Sequence, residues 1–181
     1  GYKVYWADGA QITPPHDSGI MAEVKAVTDY KDVLTMDKEA AIQAGLYNVI
    51  GKDIDDVYIA QLKKQVKNPE IIREYADQIK IVYSPLHGTG NIPARRIMKE
   101  IGFENVYVVP EQELPDGEFP TVSYPNPESD EAFVLGLELA KKIDADLVLA
   151  TDPDADRLGV RVKDSEGVYH TLTGNMSGCL L

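Results

Sequence analysis

Cysteine is almost missing from this chain. Among 181 residues there is one, Cys179, so no internal disulfide can form, and the expectation is a reduced intracellular setting with Cys179 as a small packing residue. Positive charge is also scarce: 18 Lys and Arg stand against 30 Asp and Glu, a formal net charge of −12. General binding to a nucleic-acid backbone needs clustered cations and is excluded as an expectation, although a few local cations suffice for one small phosphate. No run approaches the roughly 18 apolar residues of a membrane span, and the N-terminus lacks the basic-then-apolar pattern of a secretory signal. The expected location is the cytoplasm, with neither membrane nor nucleic acid as a partner. Low-complexity tracts and internal repeats are absent too. His16 and His170 have no partners at zinc spacing and are expected to be ordinary surface or core histidines. The 10 tyrosines do not interleave with basic residues, which implies packing rather than base stacking. An initiator Met is lacking and Leu180-Leu181 falls within an apolar run, so both ends have the look of cuts.

What is present is an ordinary globular composition, 44% hydrophobic and 27% charged, long enough for one sizeable domain and part of another. Residues 2–6 alternate as a strand does, with turn chemistry over 7–10, and Asp17 after Pro14-Pro15 is placed to cap a helix reaching about Val27. This opening has too few partners for a core. Residues 1–35 are therefore expected to be the trailing edge of a preceding domain, 36–52 a connection with one short helix, 53–171 a complete domain and 172–181 the start of another. Within the central stretch, acidic residues at Asp53, Asp55 and Asp56 precede a helical face of Tyr58, Leu62 and Val66. Asn68-Pro69 opens a second short helix through about Ala76. Strands are expected over 79–83, 106–109 and 147–150, with helices over 93–101 and 128–142, the latter presenting Phe133, Leu137 and Ala140. Residues 158–162 and 168–170 form a hairpin closed at 164–167. The fold class is α/β, a three-layer α/β/α arrangement whose mainly parallel sheet carries an antiparallel edge strand, with ligands expected beyond the carboxyl ends of the strands.

One loop stands out there. The apolar strand Leu147-Val148-Leu149-Ala150 runs through Thr151 into Asp152, Pro153, Asp154, Ala155, Asp156 and Arg157. Three carboxylates at alternate positions raise one another's pKa unless a cation is present, so Asp152, Asp154 and Asp156 make sense as an oxygen-only site for Mg²⁺, which commonly keeps positions for water and a phosphate oxygen. Arg157 is suited to clamp that phosphate. An EF-hand starting at Asp152 fails, because its sixth and twelfth positions would be Arg157 and Lys163 rather than Gly and Glu. A haloacid-dehalogenase-type phosphatase, with Asp152 as nucleophile, remains as an alternative. It normally has Thr or Val at the position of Asp156 and needs more chain than follows Arg157. A third reading is a binding module whose acidic loop only stabilises structure.

The motif Asp152-Pro153-Asp154-Ala155-Asp156-Arg157 resembles the metal loop of the α-D-phosphohexomutases, which include phosphoglucomutase, phosphomannomutase and phosphopentomutase. Further segments agree in order: Gly1-Tyr2-Lys3-Val4-Tyr5-Trp6 resembles the stretch after the family's phosphoserine loop. Ser84 to Gly90 resembles its P-L-H-G-x-G turn, Pro125-Asn126-Pro127-Glu128 its P-N-P-E, and Leu172-Thr173-Gly174-Asn175 the opening of its third domain. The wording over residues 1–12 is most similar to the branch with second-type phosphoglucomutase and phosphopentomutase, leaving glucose, mannose and pentose all open, and it fixes no oligomeric state. The resemblance implies a four-domain isomerase that transfers phosphoryl groups within a sugar phosphate through a phosphoserine and a sugar bisphosphate intermediate. It further implies that the serine lies upstream of Gly1 and the sugar-recognition and C-terminal phosphate-binding parts downstream of Leu181, so that this piece binds Mg²⁺ weakly and is inactive alone. By the same resemblance Lys3 corresponds to a lysine acting in proton transfer, with Arg157 close to it and to the phosphoserine.

Weaker signals remain. His87 and Gly88 lie between a strand and a helix, in a turn whose free amides suit an anion, but a tight turn with His87 packed in the cleft wall is the simpler reading. Asn126 and Pro127 most simply cap and open the following helix.

Overall fold

The computed structural model describes residues 3–181, and the chain divides into two compact units, Gly1–Ile50 and Gly51–Leu181. In the first unit Trp6 N–H donates to Ala10 O at 2.9 Å and Gly9 N–H to Trp6 O at 3.0 Å, closing the expected turn. Tyr5 pairs with Gln11 in a single antiparallel bridge. The strand expected over 2–6 is thus reduced to that bridge among the described residues; Gly1 and Tyr2 lie outside them. Helix α1 (His16–Ala26) starts ahead of its expected cap, with Asp17 inside the first turn, where its carboxylate accepts from the Ser18 N–H at 2.6 Å. An acid there still complements the positive helix end. Helix α2 (Lys38–Gln43) is capped by Asp37, which accepts from Ala40 N–H at 3.1 Å. None of this unit's described residues is buried, in keeping with too few apolar partners to close a core.

The second unit runs α3 (Lys52–Lys63), α4 (Pro69–Tyr75), β1 (Ile81–Ser84), α5 (Asn91–Ile101), β2 (Val106–Val108), α6 (Pro110–Glu113), a 3₁₀ turn (Asp130–Phe133), α7 (Val134–Ile143), β3 (Leu147–Thr151), β4 (Leu158–Lys163), β5 (Tyr169–Leu172) and α8 (Gly174–Leu180). Among the described residues the strands form a five-stranded sheet in the order β2-β1-β3-β4-β5. β2, β1 and β3 pair in parallel, while β4 is antiparallel to both β3 and β5. The reversed strand therefore lies one in from the edge, because the tight Asp164–Gly167 turn adds β5 outside it. From β1 the chain crosses outward to β2 and then back past β1 to β3; two right-handed crossovers in opposite directions place α5 and α7 on opposite faces.

The core sits under α7. Val82 of β1, Val148 and Ala150 of β3, Ala132, Phe133 and Ala140 form it with Val109 and Leu86, and register pairing of Val82 with Val148 puts their side chains on that face. Ile81 and Tyr83, pointing the other way, are equally buried, which is why β1 reads as a continuous apolar run rather than an alternating one. The expected 128–142 helix is broken, with a 3₁₀ turn before α7, yet it presents Phe133 and Ala140 inward as the periodicity demands. In α3 the deeply buried residue is Ile59 and Tyr58 is exposed. Leu62 and Val66 of the expected face are half-buried, Val66 just past the helix end, so only its first member changes, from Tyr58 to Ile59; Arg96 of α5 bridges Asp56 at 2.5 Å and Glu100 at 2.8 Å. Arg161 of β4, also buried, stacks 4.0 Å over the Phe133 ring and pairs with Asp130 at 2.8 Å, so its charge is answered at the core edge.

β4 can approach the Pro127 backbone only because residue 159 is glycine: a Cβ there would collide with the Pro127 carbonyl and the Phe133 ring. Gly159→Ala should lower stability by about 1–3 kcal/mol, read from the urea midpoint; an unchanged midpoint would show that this approach is loose. At the other hairpin end, the Asp164 carboxylate accepts from His170 Nε2 at 2.6 Å, Val168 N–H at 2.8 Å and Glu166 N–H at 2.9 Å. The His170 bond first, and then the Val168 amide, hold Asp164 below the usual carboxylate range. Its contribution is whole above the unfolded Asp pKa of about 3.9 and is lost as pH falls through the lower folded value. Amide protection of Glu166 and Val168 in hydrogen exchange should therefore step down at acid pH, and the step should vanish in Asp164→Asn.

Candidate metal centre

Neighbouring parallel strands β1 and β3 end at the point where the strand order reverses, the place where an open α/β sheet leaves a crevice. Two loops meet there, Pro85 to Gly90 after β1 and Asp152 to Arg157 after β3. The second is a tight turn: Ala155 N–H donates to Asp152 O at 3.0 Å, with Pro153 at the position where a fixed φ is favoured. Ala155 then takes a left-handed φ of 59° and turns the chain back toward β4. Curvature, not extension, is what converts alternate spacing into convergence. Asp152, Asp154 and Asp156 each bring one carboxylate oxygen within 4.8 Å of the others.

The three are not equivalent. Asp152 is only 1% exposed, while Asp154 and Asp156 face solvent. Both oxygens of Asp152 are held by one residue, Arg157, whose backbone N–H donates to Oδ1 at 3.0 Å and whose Nε donates to Oδ2 at 2.7 Å. Burial pushes the Asp152 carboxyl up, but the Arg157 side-chain bond, its backbone bond and its charge outweigh this and leave it below the usual range. The same contact raises the Arg157 guanidinium, with the Tyr124 hydroxyl adding to the effect, so it stays charged at any pH of interest. Arg157 Nε lies 3.9 Å from Asp156 Oδ1, and a terminal nitrogen donates to Asn126 Oδ1 at 3.2 Å.

The donor set fits a hard divalent cation. Oxygens sharing one octahedral Mg²⁺ at about 2.1 Å stand roughly 3–4.2 Å apart, so a spread of at most 4.8 Å closes with a small movement of two exposed side chains. Lys3 is exposed and belongs to the first unit. His87 is buried with both ring nitrogens engaged, Nδ1 with Leu114 O at 3.0 Å and Nε2 with Thr121 Oγ1 at 2.9 Å. Its ring is thus a strut and not a ligand group. Gly88 packs against Pro153, leaving no room for a Cβ.

Two contributors were missed in the sequence. Asn126 does more than shape its own turn, where Oδ1 accepts from Glu128 N–H at 3.0 Å, because the same oxygen also takes the Arg157 bond. Pro127 opens no helix; it is buried under Gly159, with the 3₁₀ turn beginning later. Thr89 donates to Pro153 O from its N–H at 2.8 Å and its hydroxyl at 3.1 Å, a contact 64 residues apart in sequence that no local pattern encodes.

A sequence model of the family described as phosphoglucomutase/phosphomannomutase, alpha/beta/alpha domain II, matches residues 56–167. The chain belongs to that family. It is 37% identical over 193 residues to the phosphoribomutase of Saccharomyces cerevisiae, covering 99% of this chain and 30% of that protein. Against the phosphopentomutase of Homo sapiens the identity is 38% over 182 residues, covering 100% and 29%. A probable phosphomannomutase of Haemophilus influenzae is 36% identical over 186 residues, covering 100% and 36%. The chain spans about a third of the length of the curated relatives it matches. In this phosphoglucomutase/phosphomannomutase-family chain the matched region takes in β1 to β4 and the whole carboxylate loop.

The asymmetry of the three acids makes a test in metal-free buffer. Asp152→Ala, which strips a buried charge-assisted acceptor from two donors, should cost about 1.5–3 kcal/mol in urea unfolding. Asp154→Ala, relieving repulsion on an exposed side chain, should leave the midpoint unchanged or slightly raised. Equal losses in both would contradict the division into a structural and two outward-facing carboxylates.

Proposed function

We propose that this chain supplies the Mg²⁺-binding part of a sugar-phosphate mutase, an isomerase that moves a phosphoryl group between two hydroxyls of one sugar through a phosphoserine and a sugar bisphosphate. The observation that carries this reading is the convergence of Asp152, Asp154 and Asp156 beside Arg157 at the carboxyl end of β3. Support also comes from relatives named as phosphoribomutase, phosphopentomutase and phosphomannomutase, matched along nearly the whole chain. Asp154 and Asp156, exposed, turn their oxygens toward the site, and Asp152 anchors the loop that carries them. A bound Mg²⁺ would polarise a phosphoryl oxygen and absorb charge developing there. Arg157, with Nε committed to Asp152 and one terminal nitrogen to Asn126, keeps remaining N–H groups for a phosphate oxygen. Lys3 is assigned the proton transfer at the sugar hydroxyl. The reacting serine and the sugar-recognition residues belong to other parts of the parent protein, which we place in the cytoplasm. The domain-like segment 53–171 lies between the end of one domain, 1–35, and the start of another, 172–181, with 36–52 connecting.

A phosphatase with Asp152 as nucleophile is disfavoured because the family model matching residues 56–167 is that of a mutase domain, and because the Asp152 carboxylate, 1% exposed and bridged by Arg157, is held as a loop anchor with at most a lone pair to share with a cation. The decisive assay uses the parent protein on glucose, mannose and ribose 1-phosphates with Mg²⁺. Asp154→Asn should lower turnover on the order of a hundredfold, and the 181-residue chain by itself should show none. Full activity in the variant, or turnover by the chain alone, refutes the assignment.

A further inference from the structure

The turn after β1 holds more strain and more buried polar bonding than a connection requires. Leu86 and His87 both sit at left-handed φ, 45° and 61°, inside a turn closed by Gly88 N–H to Pro85 O at 2.8 Å. Such turns normally use Asn or Gly at these positions. Consecutive non-glycine residues there persist only when their surroundings over-determine them. Those surroundings are explicit. Leu86 is fully buried and its N–H donates to Ser84 Oγ at 3.1 Å. His87 N–H donates to Gln112 O at 2.9 Å. Ser84 Oγ donates to Gln112 Oε1 at 2.7 Å, Gln112 Nε2 to Thr121 Oγ1 at 3.2 Å, and Thr121 Oγ1 lies 2.9 Å from His87 Nε2. With His87 Nδ1 donating to Leu114 O, the chain of bonds closes with each named group paired. Gln112 and Ser84 are buried as deeply as the apolar core.

What this frame presents to its neighbour is one short surface, Gly88 to Gly90. A Cβ at Gly88 would collide with Pro153 backbone, and one at Gly90 would stand 2.8 Å from Thr151 Oγ1 and 3.1 Å from Ala155 Cβ. Thr89, between them, donates twice to Pro153 O. Apart from the Tyr83 hydroxyl of β1, which a Gly90 Cβ would also meet at 2.8 Å, these contacts fall on the carboxylate loop or the residue before it. We infer that the Ser84–Gly90 turn is a preformed cradle that sets the curvature of the Asp152–Asp156 loop, with Thr89 as its positioning residue and the His87–Thr121–Gln112–Ser84 relay, buried except at the half-buried Thr121, as the lock that keeps the cradle in its strained shape. The step from cradle to cation affinity rests on the metal reading above; the step from cradle to loop geometry does not.

The test therefore has a metal-free arm and a metal arm, both on the full chain. Without metal, Thr89→Val removes one of the two bonds to Pro153 at an exposed position and should speed exchange of the Ala155 and Arg157 amides about three- to tenfold. The Val148 and Leu149 amides of β3 should be unaffected. Thr89→Ser should restore the native rates, and Gly88→Ala should exceed Thr89→Val in the same direction. Native rates at Ala155 and Arg157 in both Thr89→Val and Gly88→Ala overturn the cradle. In the metal arm, Mn²⁺ titration followed by its electron paramagnetic resonance should show affinity falling by a similar factor in Thr89→Val and returning in Thr89→Ser. Native Mn²⁺ affinity in Thr89→Val overturns the step from cradle to cation. No binding by the native chain, with the exchange pattern intact, overturns the metal reading and that step while supporting the cradle as a loop-shaping device.

Discussion

A buried carboxylate at the end of an interior strand is the constraint around which this chain is arranged. Removing Asp152 from water costs several kcal/mol unless its charge is answered, and the answer comes from five residues further along, through both the backbone and the side chain of Arg157. That doubled contact ties the two ends of the loop together. Everything between them, Pro153 to Asp156, is consequently forced into a short arc, and the arc is what gathers the other two carboxylates. The ion pair thus does its work less by its net stabilisation, which desolvation largely offsets, than by specifying one loop shape.

That shape is supported from two sides by chain segments remote in sequence. From β1 comes the Gly88–Gly90 surface, admitted close to Pro153 because Gly88 lacks a Cβ and close to Thr151 and Ala155 because Gly90 does. From the segment ahead of α7 comes Asn126, whose side-chain oxygen is shared between its own turn and Arg157, while Pro127 beneath it is seated against Gly159. Both supports use glycine at a point of backbone contact, so the packing of the sheet and the geometry of the site are one problem. The residues that admit the loops are the residues that let β4 and the sheet close.

Much of this was legible in the sequence, and the reasons differ by element. The parallel strands were visible because β1 is buried on both faces and β3 on one with the other half-buried, so that both read as apolar runs; the hairpin was visible because Asp164 and Gly167 carry turn chemistry. Periodicity found α7 through Phe133 and Ala140 and placed Leu62 and Val66 on the covered side after α3 begins, but chose Tyr58 over Ile59 at the start of that face, because both are apolar enough to pass and packing makes the choice. The carboxylate trio and Arg157 could be found because they are contiguous. Thr89 and the second duty of Asn126 could not be, since each depends on a tertiary approach across many residues. His87 was open between ligand and strut, and only the positions of Leu114 and Thr121 decide it.

Charge gives the arrangement its remaining logic. Three carboxylates and one guanidinium leave two negative charges at the tip of the loop, in a chain that is already strongly acidic. A phosphate would be repelled from such a place, and a monovalent ion would leave the repulsion half in force. On the metal reading proposed above, one divalent cation would cancel the remainder and leave the site neutral, so that an incoming phosphate would meet a metal with open positions and the remaining N–H groups of Arg157 rather than an acidic surface. The acid excess of the whole chain sharpens this, since it disfavours anions everywhere that local cations do not intervene. On that reading, discrimination in favour of a phosphate at this one loop would follow from where positive charge is concentrated, not from how much of it the protein carries.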